Sequence, residues 1–203
     1  TPPRTTRVRG SRFILLWARL YGWQSDRDAE VARAYLDFAS EKSPESPEVT
    51  LHWSAFEVGA GAVDAADARI ARALELAPSD PDVLAAATRW FGGSGADREA
   101  FRRELLTWCE ALEGSAQTAF QFTVLGECTL RVRDVPRVAL RYLDQALMLD
   151  STSWRAFALA GEALEALDRP EQAIRAYSTA IGLSGHRGTA VRDELRQRID
   201  RLR

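Results

Sequence analysis

Alanines and prolines in this chain return at a fixed step of 34 residues, and that step constrains the fold more than any other feature. Ala32, Ala66 and Ala100 follow one another at 34, as do the pairs Ala39 and Ala73, Pro44 and Pro78, and Pro47 and Pro81. The second half carries its own ladder at the same step: Pro136 and Pro170, Ala139 and Ala173, Leu143 and Tyr177, Ala146 and Ala180, Leu149 and Leu183. Between Ala100 and Ala139 the step is 39, which places an insertion near 113–118, where Gly114 and Ser115 read as a loop. Self-similarity at such a period means one small unit used repeatedly, each copy burying its apolar face against the next.

Within a unit the pattern reads helix, tight turn, helix. Ala173, Ala176, Tyr177 and Ala180 recur at i, i+3, i+4 and i+7, which places them on one helical face. Pro47 and Pro81 each follow a Ser or Asp, the residue types that cap a helix start, and proline is tolerated in a first turn because its missing N–H would be unpaired there. Gly59 and Gly61, and then Gly92, Gly93 and Gly95, are expected to supply turns inside the second and third units.

These residues resemble the tetratricopeptide repeat family. Gly161, Ala173, Tyr177 and Ala180 stand at its small, alanine, aromatic and alanine positions, with Leu183 closing the second helix, and Gly126, Ala139, Leu143 and Ala146 repeat the set one unit earlier. The first three units keep the second-helix alanines but carry Leu20, Ser54 and Thr88 where the family has glycine. Small residues let two antiparallel helices approach closely while a large residue fills the neighbouring hole. The resemblance implies an all-α, right-handed α-solenoid of about five antiparallel helix pairs. A flexible arm over 1–10 would precede a solenoid over 11–187, with units at about 11–44, 45–78, 79–114, 119–153 and 154–187. Residues 188–203 would form a capping helix with Val191, Leu195, Ile199 and Leu202 on one face and arginines on the other. In the second unit, Trp53 and Phe56 fit the core under either of two alignments of its first helix.

Composition excludes several functional classes. With 27 basic against 29 acidic residues, the formal charge of −2 provides no overall attraction for nucleic acid. Arg4, Arg7, Arg9 and Arg12 cluster near the start, and Arg192, Arg196, Arg198, Arg201 and Arg203 near the finish. They are expected to be solvated ends, with a nucleic-acid or acidic-lipid contact as the alternative. Lys42 is the only lysine, and this with abundant alanine points to a GC-rich bacterial source, cytoplasmic or periplasmic. The longest apolar stretch, 13–23, contains Arg19 and falls far short of the ~20 residues of a membrane span.

No catalytic, cofactor or metal motif emerges. His52 and His186, the only histidines, lack partners at ligand or triad spacing, and 91–95 lacks the ending of a phosphate-binding loop. Glu162 and Glu165 sit three apart on one helix, a spacing that by itself serves solubility more often than acid–base work. Cys109 and Cys128 fall in apolar helical pattern and are expected as buried thiols; a disulfide would need their Cα atoms within ~7 Å. Trp17, Trp23, Trp53, Trp90 and Trp108 are expected mainly in the core, with ligand contact as the alternative.

The resemblance further implies a non-catalytic scaffold that binds a protein or peptide partner, as a helix or extended segment, on a concave face lined by the first helices. The partner-binding candidates carried over are Arg89, Glu127, Arg131, Arg155 and Glu162. A chaperone-type clamp for a peptide carboxylate uses Lys and Asn; here the matching positions hold Arg155 and Glu162, and Thr123 and Glu127, so the partner is expected to be mixed in charge with some apolar surface. Self-association through an open end is the alternative, and nucleic-acid binding through the arginine-rich ends comes third.

Overall fold

A computed structural model describes residues 26–77, 80–93, 99–185 and 189–203, which form ten α-helices and no strand. The arm over 1–10, the expected first helix around 13–23 with Trp17 and Trp23, and Gly95 and His186 lie outside the described residues. The chain divides into two compact bodies, 1–83 and 84–203.

The first body holds α1 (Asp26–Lys42), α2 (Pro47–Gly59), α3 (Val63–Leu76) and the start of α4 (Pro81–Gly93). Ser46 caps α2, its Oγ accepting from the Val49 N–H at 3.3 Å, with Pro47 in the first turn. Ala32, Leu36 and Ala39 of α1 pack on Val49, Trp53 and Phe56 of α2. Trp53 and Phe56 are therefore both core residues, meeting edge to face at 5.6 Å, and the Trp53 indole N–H donates to Ser40 Oγ at 2.8 Å. Gly61, at φ +74°, makes the turn into α3, a conformation that glycine adopts at no steric cost. Gly92 and Gly93, expected in a turn, instead belong to α4, whose helix the apolar run before them carries on to Gly93.

The second body continues from α4 through α5 (Glu99–Glu113), α6 (Ala119–Arg131), α7 (Pro136–Leu149), α8 (Trp154–Ala166), α9 (Pro170–Leu183) and α10 (Thr189–Arg201). Thr118 and Gln121 form a reciprocal capping box that starts α6 after the loop over 114–118. The turns from α6 to α7 and from α8 to α9 share a device at the 34-residue step: Asp134 and Asp168 both sit at φ 56°, a left-handed conformation that Asp tolerates better than most residues, and a proline then opens the next helix. Helix α6 is buried from Thr123 to Leu130, because α5, α7 and α8 all pack on it. Leu195 and Ile199 of α10, with Val191 and Leu202, join Tyr177 and Ala180 of α9 in one apolar cluster.

Cys109 of α5 and Cys128 of α6 are joined as a disulfide, with Cα atoms 6.7 Å apart. The expectation of two free thiols is thereby corrected. The two helices bring the pair within bonding reach at a site where both residues are 1% exposed. The same junction carries polar links: Arg102 Nε donates to the Val132 carbonyl at 3.0 Å, and Arg133 binds Glu113 at 3.2 Å. The Tyr142 hydroxyl also donates to Glu113, and this bond, outweighing burial and assisted by Arg133, holds the Glu113 carboxyl below its usual range.

Close approach of first and second helices rests on two glycines. A methyl group on Gly126 would lie 2.6 Å from Leu143 Cγ, and one on Gly161 would lie 2.5 Å from Tyr177 Cδ1. Leu143 and Tyr177 are wholly buried and occupy the volume the glycines leave open. We expect Gly161→Ala to cost about 1–3 kcal/mol by overpacking, although alanine is intrinsically the better helix former. Gly182→Ala, with open space around the site, should instead gain about 0.5–1 kcal/mol. Denaturant titration of both variants checks the opposed signs.

Candidate functional site

Four of the five partner-binding candidates meet in one network on α6 and α8, the first helices of two successive units. Glu127 lies at its centre. Its side chain is 2% exposed, and Arg155 of α8 donates to Oε2 while Arg131, one turn along α6, stands 3.6 Å from Oε1. Arg131 also reaches across to α8 and grips both oxygens of Glu162, at 3.1 and 3.2 Å. The Arg155 guanidinium rests over the Phe120 ring, 6.0 Å from its centroid. Glu127 is thus folded into the helix–helix seam, whereas Arg131, Arg155 and Glu162 keep 26%, 22% and 19% of their side-chain surface exposed. Arg89 lies exposed on α4, with its Nε donating to the Ala85 carbonyl at 3.1 Å.

A second set continues the line. The Tyr177 hydroxyl donates to Glu165 at 2.7 Å, and Arg198 of α10 binds the same carboxylate oxygen at 3.3 Å. Burial and the Glu165 carboxylate push the Tyr177 hydroxyl far above its usual range, so it stays a neutral donor. Glu162 and Glu165 are therefore both engaged in binding cations. Three arginines in and just beyond α10 pair locally: Arg196 with Asp193 at 3.1 Å, Arg198 with Glu194 at 3.4 Å and Arg203 with Asp200 at 3.8 Å.

Among the described residues no group of three or more His, Cys, Asp or Glu is placed to hold a metal ion, and no helix is long and apolar enough to cross a membrane. His52 spends its ring on its own helix, Nδ1 standing 2.7 Å from the Glu48 carbonyl oxygen.

Sequence reasoning found the members of the network without its pairings. The Glu127–Arg131 contact is legible as an i, i+4 pair, but Arg155–Glu127 and Arg131–Glu162 require α6 and α8 to be neighbours. It missed Phe120 and the disulfide beside Glu127. It also missed a groove of ≈ 400 Å³ between α7 and α9, floored in part by Phe157 and Leu164 of α8.

No protein-family model matches the sequence, and no curated protein matches it either. Solved structures do. The chain is similar to TTC0263, a thermophilic TPR protein of Thermus thermophilus, at TM-score 0.68 and 17% identity, over 95% of this chain and 98% of that one. It is also similar to PilW, a type IV pilus biogenesis factor, at TM-score 0.60 and 14% identity over 95% and 93%. PilF of Pseudomonas aeruginosa gives 0.55 and 18% over 96% and 90%. At these identities the likeness establishes the fold: an all-α helical repeat of the tetratricopeptide kind.

Burial of Glu162 pushes its carboxyl above the usual 4.5, against the pull of Arg131 and Arg198. An acid whose folded value is raised adds stability that is full below its unfolded value and is lost as pH rises through the folded one. Wild type should therefore gain stability relative to Glu162→Gln as pH falls from 7 towards about 4.5, and the gain should level off below that. Thermal unfolding of the two proteins across pH 4–8 measures it.

Proposed function

We propose that this chain is a non-catalytic scaffold that binds a partner protein, as a helix or extended segment, along the concave face presented by the first helices α6 and α8. The tetratricopeptide fold supports the scaffold class. The observation that carries the site is the partly exposed ladder Arg155, Arg131 and Glu162, pinned from below by buried Glu127. Side chains already fixed by ion pairs lose little freedom when a partner arrives, so their exposed edges form a preorganised strip of alternating charge. Phe120, partly exposed beside Arg155, adds an apolar anchor.

Charge reversal at Arg131 or Arg155 would set a carboxylate against buried Glu127 and damage the fold, so the test uses gentler changes. Wild type and a Glu162→Gln, Phe120→Ala double variant serve as bait in the native extract, with bound proteins identified by mass spectrometry. We expect wild type to retain a specific partner and the variant to lose at least about tenfold of it, or 1.4 kcal/mol, with helicity unchanged. Equal capture by both places partner binding elsewhere.

The Cys109–Cys128 bond supports an oxidising compartment, such as a bacterial periplasm, as the place of work, since reducing compartments keep paired thiols open. Cells quenched in acid and alkylated under denaturing conditions, which open the buried site, should leave both cysteines unlabelled until a reductant is added. Full labelling beforehand would move the protein to the cytosol.

A further inference from the structure

The arginines that open and line α9 differ from those of α6 and α8. Arg131 and Arg155 are consumed by carboxylates of their own chain, whereas Arg169 and Arg175 have no hydrogen-bond or ion-pair partner for their guanidinium groups among the described residues. Both line the groove between α7 and α9, on the α9 wall, where Gln172 and Thr179 stand between and beyond them. The floor is apolar: Leu140 and Leu147 from α7, and Phe157 and Leu164 from α8, all only partly buried. Asp144 is the single acid lining it, on the opposite wall.

Further apolar surface lies at the C-terminal ends of the two wall helices. Leu183, one turn beyond Thr179 on the same stripe of α9, is 39% exposed, and Met148 and Leu149 at the end of α7 are 86% and 58% exposed. Three large apolar side chains beside an apolar floor cost free energy in water, and the basic wall lacks its counter-charge.

We propose that the α7–α9 groove is a second docking surface, separate from the first-helix face, that takes an amphipathic helix with an apolar stripe flanked on one side by carboxylates. Its Leu-type side chains fill the space over Phe157 and Leu164, and its carboxylates meet Arg169 and Arg175 in charge-assisted hydrogen bonds. Two helices run side by side as rails, and a third laid between them buries its stripe at i, i+4 and i+7.

The test is a fluorescence-anisotropy titration of the whole chain with a labelled 18-residue peptide that carries a Leu stripe, Glu along one flank and Ala elsewhere. A second peptide replaces every Glu by Lys. We expect the Glu peptide to bind at least about tenfold more tightly than the Lys peptide, and added salt to narrow the gap. Arg169→Glu with Arg175→Glu should weaken the Glu peptide by about tenfold or more, and Thr179→Trp, which fills the groove without touching charge, should weaken it likewise. The Glu162→Gln, Phe120→Ala variant separates the two surfaces, because it should bind the Glu peptide as wild type does.

Equal affinity for the two peptides would overturn the proposal, as would full binding by both groove variants or loss of binding in the first-helix variant. Concentration-dependent sedimentation that the groove variants abolish would also overturn it, assigning the groove to a second copy of this chain.

Discussion

Close contact between paired helices is the constraint on which the second body depends. At Gly126 and Gly161 no side chain intervenes, and Leu143 and Tyr177 fill the space with nothing exposed. Packing of this kind is shape-specific, because dispersion contacts fall away within a fraction of an ångström. The helix separation it sets then fixes where polar groups can lie. Tyr177 occupies the hole beside Gly161, and its hydroxyl thereby meets Glu165. The seat of α10 follows as well, since Arg198 shares that carboxylate.

Charge is divided between two faces according to the same geometry. First helices pack against each other across α6 and α8, close enough for arginine to span them, and the carboxylates facing it are the nearest partners available. Burying Glu127 is tolerable only because two guanidinium groups are held against it. Helices α7 and α9 stand on either side of the groove over α8, and Arg137, Arg141, Arg169 and Arg175 along them are exposed. A repeat protein can in this way carry a neutralised face and a basic one on a single short stretch of chain.

Much of the fold was legible in the sequence because the 34-residue ladder records packing requirements: alanines where helices touch, prolines where they begin. Ser46 before Pro47 read as a cap and is one. Gly92 and Gly93 misled, because glycine marks a helix end as readily as a turn, and only the neighbouring residues decide between them. Trp53 and Phe56 left the α2 register open in sequence and both proved buried. Of the site, the charged residues on the first helices were visible, but their burial was not. A position on a helix wheel does not reveal which neighbour the adjacent helix brings, and Arg155 meets Glu127 across 28 residues of chain. The disulfide was hidden for the same reason, since it depends on how α5 lies against α6 around a loop that breaks the repeat.

That disulfide also changes how the chain would answer mechanical load. Cys109 and Cys128 are 19 residues apart in sequence, and the covalent bridge carries force directly from α5 to α6. The intervening segment, including the loop over 114–118, is removed from the load path and stays slack while the helices outside it are stretched. About 60–65 Å of contour length is held in reserve there, to be released only when the bond is cut. A scaffold pulled between two anchored partners would thus have one inextensible joint in an otherwise compliant array.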